Sequence, residues 1–159
     1  MITVENAVTM GIGLDAQGRM ISQQEPCDWV LVCKHPYVHI YMNVNSIFGS
    51  PRTFAFRYYM VDENDRKEFQ KAHNLDRVPL YTIELKRYNS DFTSYTIKAA
   101  AFLDNRNQLI NLKEVNQVSQ IAANSLDSCE AQWAKPLYEN GEDFIPYLKD
   151  TMKKFFASH

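Results

Sequence analysis

The sequence predicts an α+β domain, with an antiparallel sheet of about five to seven strands and a C-terminal amphipathic helix packed on one face. Three observations carry this. Apolar residues alternate with polar ones through the middle of the chain, one strong helical stripe closes it, and two Asp-led turn sequences join neighbouring runs.

The first turn lies in a segment read as an N-terminal hairpin over 1–25, where Ala7 to Leu14 leads through Asp15-Ala16-Gln17-Gly18 into Arg19-Met20-Ile21. Asp opens such a turn by accepting backbone amides ahead of it, and Gly18 suits the left-handed position that closes it. The same solution recurs at Asp104-Asn105-Arg106-Asn107, with Asn107 in the place of Gly18. Antiparallel strands are expected over 29–114. Val38, Ile40 and Met42 alternate with His39, Tyr41 and Asn43; Phe54, Phe56, Tyr58 and Met60 alternate with Thr53, Ala55, Arg57 and Tyr59. Tyr81, Ile83 and Leu85 repeat the pattern, and so do Tyr95, Ile97, Ala99, Ala101 and Leu103.

The C-terminal helix is expected over 143–157, with Asp143 as N-cap, Pro146 in the first turn, and Phe144, Ile145, Leu148, Met152, Phe155 and Phe156 on one stripe. The small Ala99 and Ala101 offer this helix a place to lie close. A weaker helical pattern runs through Val115, Val118, Ile121, Ala122 and Leu126, and the polar stretch Asp62 to Asp76 reads as an excursion of a helical turn or two. No Pro-, Gly- or Ser-rich linker interrupts residues 1–159, so one domain is expected.

Composition excludes more than it identifies. Seventeen basic residues face nineteen acidic ones for a net charge of −2, and 45% of the 159 residues are hydrophobic. That is an ordinary globular composition without the basic surplus of a nucleic-acid binder. The longest apolar runs, Trp29 to Cys33 and Ala99 to Leu103, fall far short of the ~20 residues of a membrane helix. Residues from Met1 onward carry no signal-peptide pattern, so the chain reads either as cytosolic or as the mature form of an exported protein. The odd count of three cysteines leaves at least one thiol free in a monomer.

No catalytic, metal or cofactor site is expected. Cys33, His35 and His39 lie on an extended segment, where residues four apart are separated by ~13 Å and cannot converge on one ion. Gly11-Ile12-Gly13 lacks the strand-to-helix setting of a dinucleotide loop. Cys27, Cys33 and Cys129 carry no nucleophile signature with His35, His39, His73 or His159, and Asp62, Glu63 and Asp65 fall in the most polar stretch. A binding face is the better candidate. If Phe54, Phe56, Tyr58, Ile83, Leu85, Tyr95 and Ile97 face inward, the outer face shows Arg57, Tyr59, Lys86, Tyr88 and Lys98. Arg and Tyr are enriched at protein-binding hot spots, which makes Arg57, Lys86, Tyr88 and Lys98 the candidate contacts.

The order of features resembles the surface-adhesin protein E-like family of Gram-negative bacteria. Trp29-Val30-Leu31-Val32 leads into Tyr41-Met42-Asn43-Val44-Asn45-Ser46-Ile47, which fits the family's Y-x-[D/N]-x-x-S-I spacing. Gly49-Ser50-Pro51, a long strand Arg52 to Val61, a polar excursion, strands Leu80 to Tyr88 and Phe92 to Asp104, Trp133-Ala134-Lys135-Pro136 and a terminal helix follow in order. The resemblance implies a small antiparallel sheet with a C-terminal helix, often dimeric, at the periplasm or cell surface, non-enzymatic, and binding host extracellular-matrix protein through the stretch from about Arg77 to Lys98. The chain departs from it in two ways. The cysteines many members carry before the long hairpin and in the final helix are missing from Lys86 to Asp91 and Phe155 to Ala157, and the N-terminal hairpin is extra. A cytosolic accessory or assembly protein of the same fold is the alternative, and a small-molecule pocket between sheet and helix a second one.

Overall fold

The computed structural model describes residues 2–17, 19–24 and 27–157, and of residues 20–24 the backbone alone. Gly18, expected to close the first turn, lies outside the described residues. The chain opens on helix α1 (Val4–Met10), capped by the Thr3 hydroxyl at its N-terminus and by Gly11 at φ 79° at its C-terminus. Strands β1 (Ile12–Leu14) and β2 (Met20–Gln24) then form a separate two-stranded ribbon. The hairpin expected over 1–25 is therefore shorter than its sequence pattern: Ala7 to Met10 are helical. Thr3 accepts the amide of Asn6, an N-cap that alternation alone does not reveal. The Asp15 turn forms as expected, its Oδ1 accepting the amides of Gln17 and Arg19.

Six strands make the main sheet: β3 (Trp29–Lys34), β4 (Val38–Asn43), β5 (Thr53–Met60), β6 (Tyr81–Tyr88), β7 (Ser94–Leu103) and β8 (Leu109–Gln120). They pair antiparallel in chain order, so β3 and β8 are the edges. Helix α2 (Glu63–Ala72) is the polar excursion between β5 and β6. Helices α3 (Leu126–Asn140) and α4 (Phe144–Ala157) follow the sheet, joined by a 3-10 turn at Gly141–Asp143 that occupies the place expected for an Asp143 N-cap. The α+β class and the C-terminal helix are as the sequence predicts.

The motif residues Asn43 and Ser46 have structural work. The Asn43 amide nitrogen donates to the Thr9 carbonyl at 2.8 Å, and its oxygen accepts the amides of Asp28 and Asn45. Ser46 accepts the amide of Ala55. Both side chains are buried, and a buried polar group without such partners would cost ~1–3 kcal/mol.

Both faces of the sheet are covered. On one, Val30, Val32, Ile40, Met42, Phe54, Phe56, Tyr88 and Tyr95 pack against Ala131, Ala134 and Leu137 of α3 and Leu148 and Met152 of α4. On the other, Ala55, Ile83, Leu85, Ala99, Ala101 and Leu103 pack against Ala7 and Met10 of α1 and Ile12 of β1. This corrects the expectation that the C-terminal helix covers Ala99 and Ala101; the short α1 does so. The reason is one extra residue. Leu85 pairs with Ala99 but Lys86 with Ile97, so Lys98 is a bulge, and the alternation that puts Tyr95 and Ile97 toward α3 puts Ala99, Ala101 and Leu103 toward α1. Phe155, expected to pack, is half-exposed at 51%.

The second helical pattern is also corrected. Val115 and Val118 belong to β8, whose mostly solvent-exposed edge holds apolar residues without strict alternation. The helix begins later, at a Ser125/Ser128 capping box in which each hydroxyl accepts the other residue's amide.

Candidate binding site

The structure divides the four candidate contacts between the two faces. Phe54 pairs with Lys86 and Phe56 with Glu84, so Glu84, Lys86 and Tyr88 point toward α3, which puts Lys86 and Tyr88 among the aromatics they were expected to oppose. Lys86 is 2% exposed and Tyr88 1%. Arg57 pairs with Ile83 and lies on the α1 side, its guanidinium carbon 3.6 Å from the Tyr81 ring centroid and 5.7 Å from that of Trp29. Lys98, the bulge residue, donates to the Asn116 side-chain oxygen at 3.3 Å. The expected outer face does not exist as one surface, because helices pack on both sides of the central strands.

Lys86 instead centres a buried ionic cluster. Its ammonium lies 2.6 Å from Glu130, 3.4 Å from Asp127 and 3.9 Å from Glu84, and 4.4 Å from the centroid of the Tyr95 ring. Tyr58 donates to the second Glu130 oxygen at 2.6 Å, and Tyr95 to Asp127 at 2.9 Å. Burial drives the ammonium toward its neutral form, but Glu130 and Glu84 outweigh this and raise its pKa above the usual lysine value. Burial pushes the Glu130 carboxyl up to about 7, against the pull of Lys86 and Tyr58. The ammonium's rise therefore comes from its carboxylate neighbours, and the Glu130 rise from burial. Sequence reasoning placed Tyr58 inside but missed Glu84, Asp127 and Glu130. A signal was present: the uninterrupted apolar run Phe54-Ala55-Phe56 marks a strand buried on both faces, so polar residues on its neighbour must be satisfied inside.

An open concave surface lies at the β3 edge. Trp29, Val30 and Leu31 form one wall and Met152 and Phe156 of α4 the other, around a cleft of about 390 Å³ with Asp28, Lys149 and Lys153 at its rim. Asp28 is paired with Lys149, whereas the Lys153 ammonium has no partner among the described residues. Among the described residues strand β3 pairs only with β4, so its outer N–H and C=O groups have no strand partner there. The register shift between Leu31 and Cys33 bulges the strand beyond the cleft, so the regular part of the edge coincides with it. Two restraints keep this wall in place. The Cys33–Cys129 disulfide ties β3 to α3, with Cα atoms 6.3 Å apart, and the Arg57 guanidinium lies 5.7 Å from the Trp29 ring centroid. The other edge strand, β8, borders a smaller hollow of about 290 Å³ with Glu114 and Asn116, on the α1 side.

No helix among the described residues is long and apolar enough to cross a membrane. The chain matches no family model, no curated protein and no solved structure.

Proposed function

We propose that this chain is an exported, non-enzymatic domain that binds protein partners in an adhesin-like manner, taking an extended segment of the partner into the cleft between β3 and α4. The observation that carries the reading is the free, regular half of an edge strand lying beside an apolar helix face. An extended segment added there gains main-chain hydrogen bonds from Trp29 to Leu31 and side-chain contacts with Met152 and Phe156. Lys153, without a partner among the described residues, favours an acidic residue in that segment. Export is supported by the Cys33–Cys129 disulfide, since such bonds persist in oxidising compartments. Host matrix proteins are the first partners to test, on the resemblance in motif order.

The test is capture of matrix proteins on the immobilised domain. Lys153→Glu and Leu31→Glu, both at the cleft, are expected to weaken capture at least about tenfold, as hot-spot substitutions do. Lys98→Glu, on the opposite face, leaves it unchanged. Charge reversal at Lys86 is uninformative here because it disrupts the core. Equal capture by wild type and both cleft variants sinks the proposal, and light scattering separates partner capture from pairing of two copies along β3.

A further inference from the structure

A second concavity, of about 480 Å³, lies between α2, the segment 77–80 and the β7–β8 turn, and it gathers three guanidinium groups from three separate elements: Arg66, Arg77 and Arg106. Two are already held. Arg66 donates through Nη1 to the carbonyls of Met60 and Val61 and lies 5.6 Å from the Tyr59 ring centroid. Arg77 is 3.2 Å from Asp104 through Nε and donates to the Leu109 carbonyl. A guanidinium carries five N–H groups, so each held fork keeps donors without a partner among the described residues. The third, Arg106, has no side-chain partner among them at all.

The acidic residues at the groove are matched within the chain. Asp104 accepts the amides of Arg106 and Gln108 in addition to Arg77. Burial pushes its carboxyl up, but these partners outweigh burial and hold it below the usual aspartate value, so it stays charged and committed. Glu63 lies 3.8 Å from Lys67. Arg66 and Arg106 are therefore the surplus charge of the groove, and the buried Pro79 gives it an apolar floor.

We infer that this groove binds a small oxyanion carried on a polar molecule of monosaccharide size: a carboxylate, sulfate or phosphate received by the pinned forks of Arg66 and Arg77 and closed over by Arg106. Pinning matters because a fork already ordered by the fold loses little side-chain entropy on binding, and its remaining N–H groups form charge-assisted hydrogen bonds. The site is separate from the β3 cleft and stands whether or not that cleft takes a protein.

The experiment is titration of the isotope-labelled full chain, followed by backbone amide resonances, with glucuronate, glucosamine 6-sulfate, inorganic phosphate and neutral glucose. At least one anion is expected to shift Arg77, Asn105 and Arg106 saturably below ~10 mM, while glucose does not. Which anion does so identifies the carried group. Arg106→Ala touches no internal contact of its side chain and is expected to weaken binding about tenfold with an unchanged melting temperature. Arg77→Gln, which also releases Asp104, is expected to weaken it at least as much. Absence of saturable shifts at this groove with all three anions, or wild-type affinity in Arg106→Ala, overturns the inference.

Discussion

Replacing Lys86 by methionine keeps the unbranched stem out to Cε and removes the one cation among three carboxylates. Glu130, 1% exposed and 2.6 Å from the lost ammonium, then keeps only the Tyr58 hydroxyl as a close polar partner for its charge. Breaking a buried pair in this way costs ~3–5 kcal/mol while the stranded group remains ionised. Its escape is to take up a proton. Glu130 already titrates at about 7 with Lys86 present, raised from an ordinary 4.5, so its contribution to stability is complete below about pH 4.5 and is lost as the pH rises through 7. That displacement corresponds to ~3 kcal/mol between the two ends of the window. Without Lys86 the carboxyl moves higher still, and the penalty concentrates above neutrality. Lys86→Met is therefore expected to lose ~3–5 kcal/mol at about pH 8, near 6–20 °C in melting temperature, and only ~1 kcal/mol at about pH 5, where a protonated Glu130 still hydrogen-bonds Tyr58. Urea unfolding followed by circular dichroism at the two pH values measures this. Adding Glu130→Gln is expected to recover most of the loss and flatten its pH dependence. A loss below ~1 kcal/mol at the higher pH, or an equal loss at both, refutes the account of the cluster.

Two further expectations concern the frame around the cleft and the sheet. Cys33 and Cys129 are 96 residues apart, and closing a loop of that length stabilises by about 4–5 kcal/mol in the chain-entropy description. Cys33→Ser with Cys129→Ser should lower the melting temperature by about 8–20 °C, and dithiothreitol should affect the wild type alone; scanning calorimetry with and without reductant decides it. Ala101 is fully buried in the cluster that holds Ala7 and Met10, so Ala101→Leu should destabilise by ~1–3 kcal/mol by forcing α1 off the sheet. The exposed Ala123→Leu should stay within ~0.5 kcal/mol in the same denaturant titration, and similar values for the two would show that α1 does not pack there.

The candidate site was only partly legible. Trp29, Val30 and Leu31 stood out as an opening strand, and Phe156 and Met152 as a helical stripe, yet nothing local says that the two meet at an edge. In the sequence Arg57, Lys86, Tyr88 and Lys98 group together because a strand with one polar face normally shows it to solvent. Here α1 and the α3–α4 pair cover both faces, so Lys86 and Tyr88 went inside, Arg57 stacked on Tyr81, and Lys98 became a bulge. Helix α3 escaped notice because Pro136 interrupts it and few of its residues are strongly apolar, although it supplies Asp127, Glu130 and Cys129.

What the sequence determined by itself is what short-range physics controls. Alternation set the strands, the Asp15 and Asp104 side chains set two turns, Asn107 took the left-handed position at φ 60°, and helical spacing set the C-terminal helix. The tertiary structure decided which face each strand buries, because the single extra residue at Lys98 inverts every side chain after it. It also decided which distant groups meet: Lys86 with Glu130, Cys33 with Cys129, and Arg66 with Arg77 and Arg106. Those encounters depend on register and packing accumulated over the whole sheet, and no spacing along the chain encodes them.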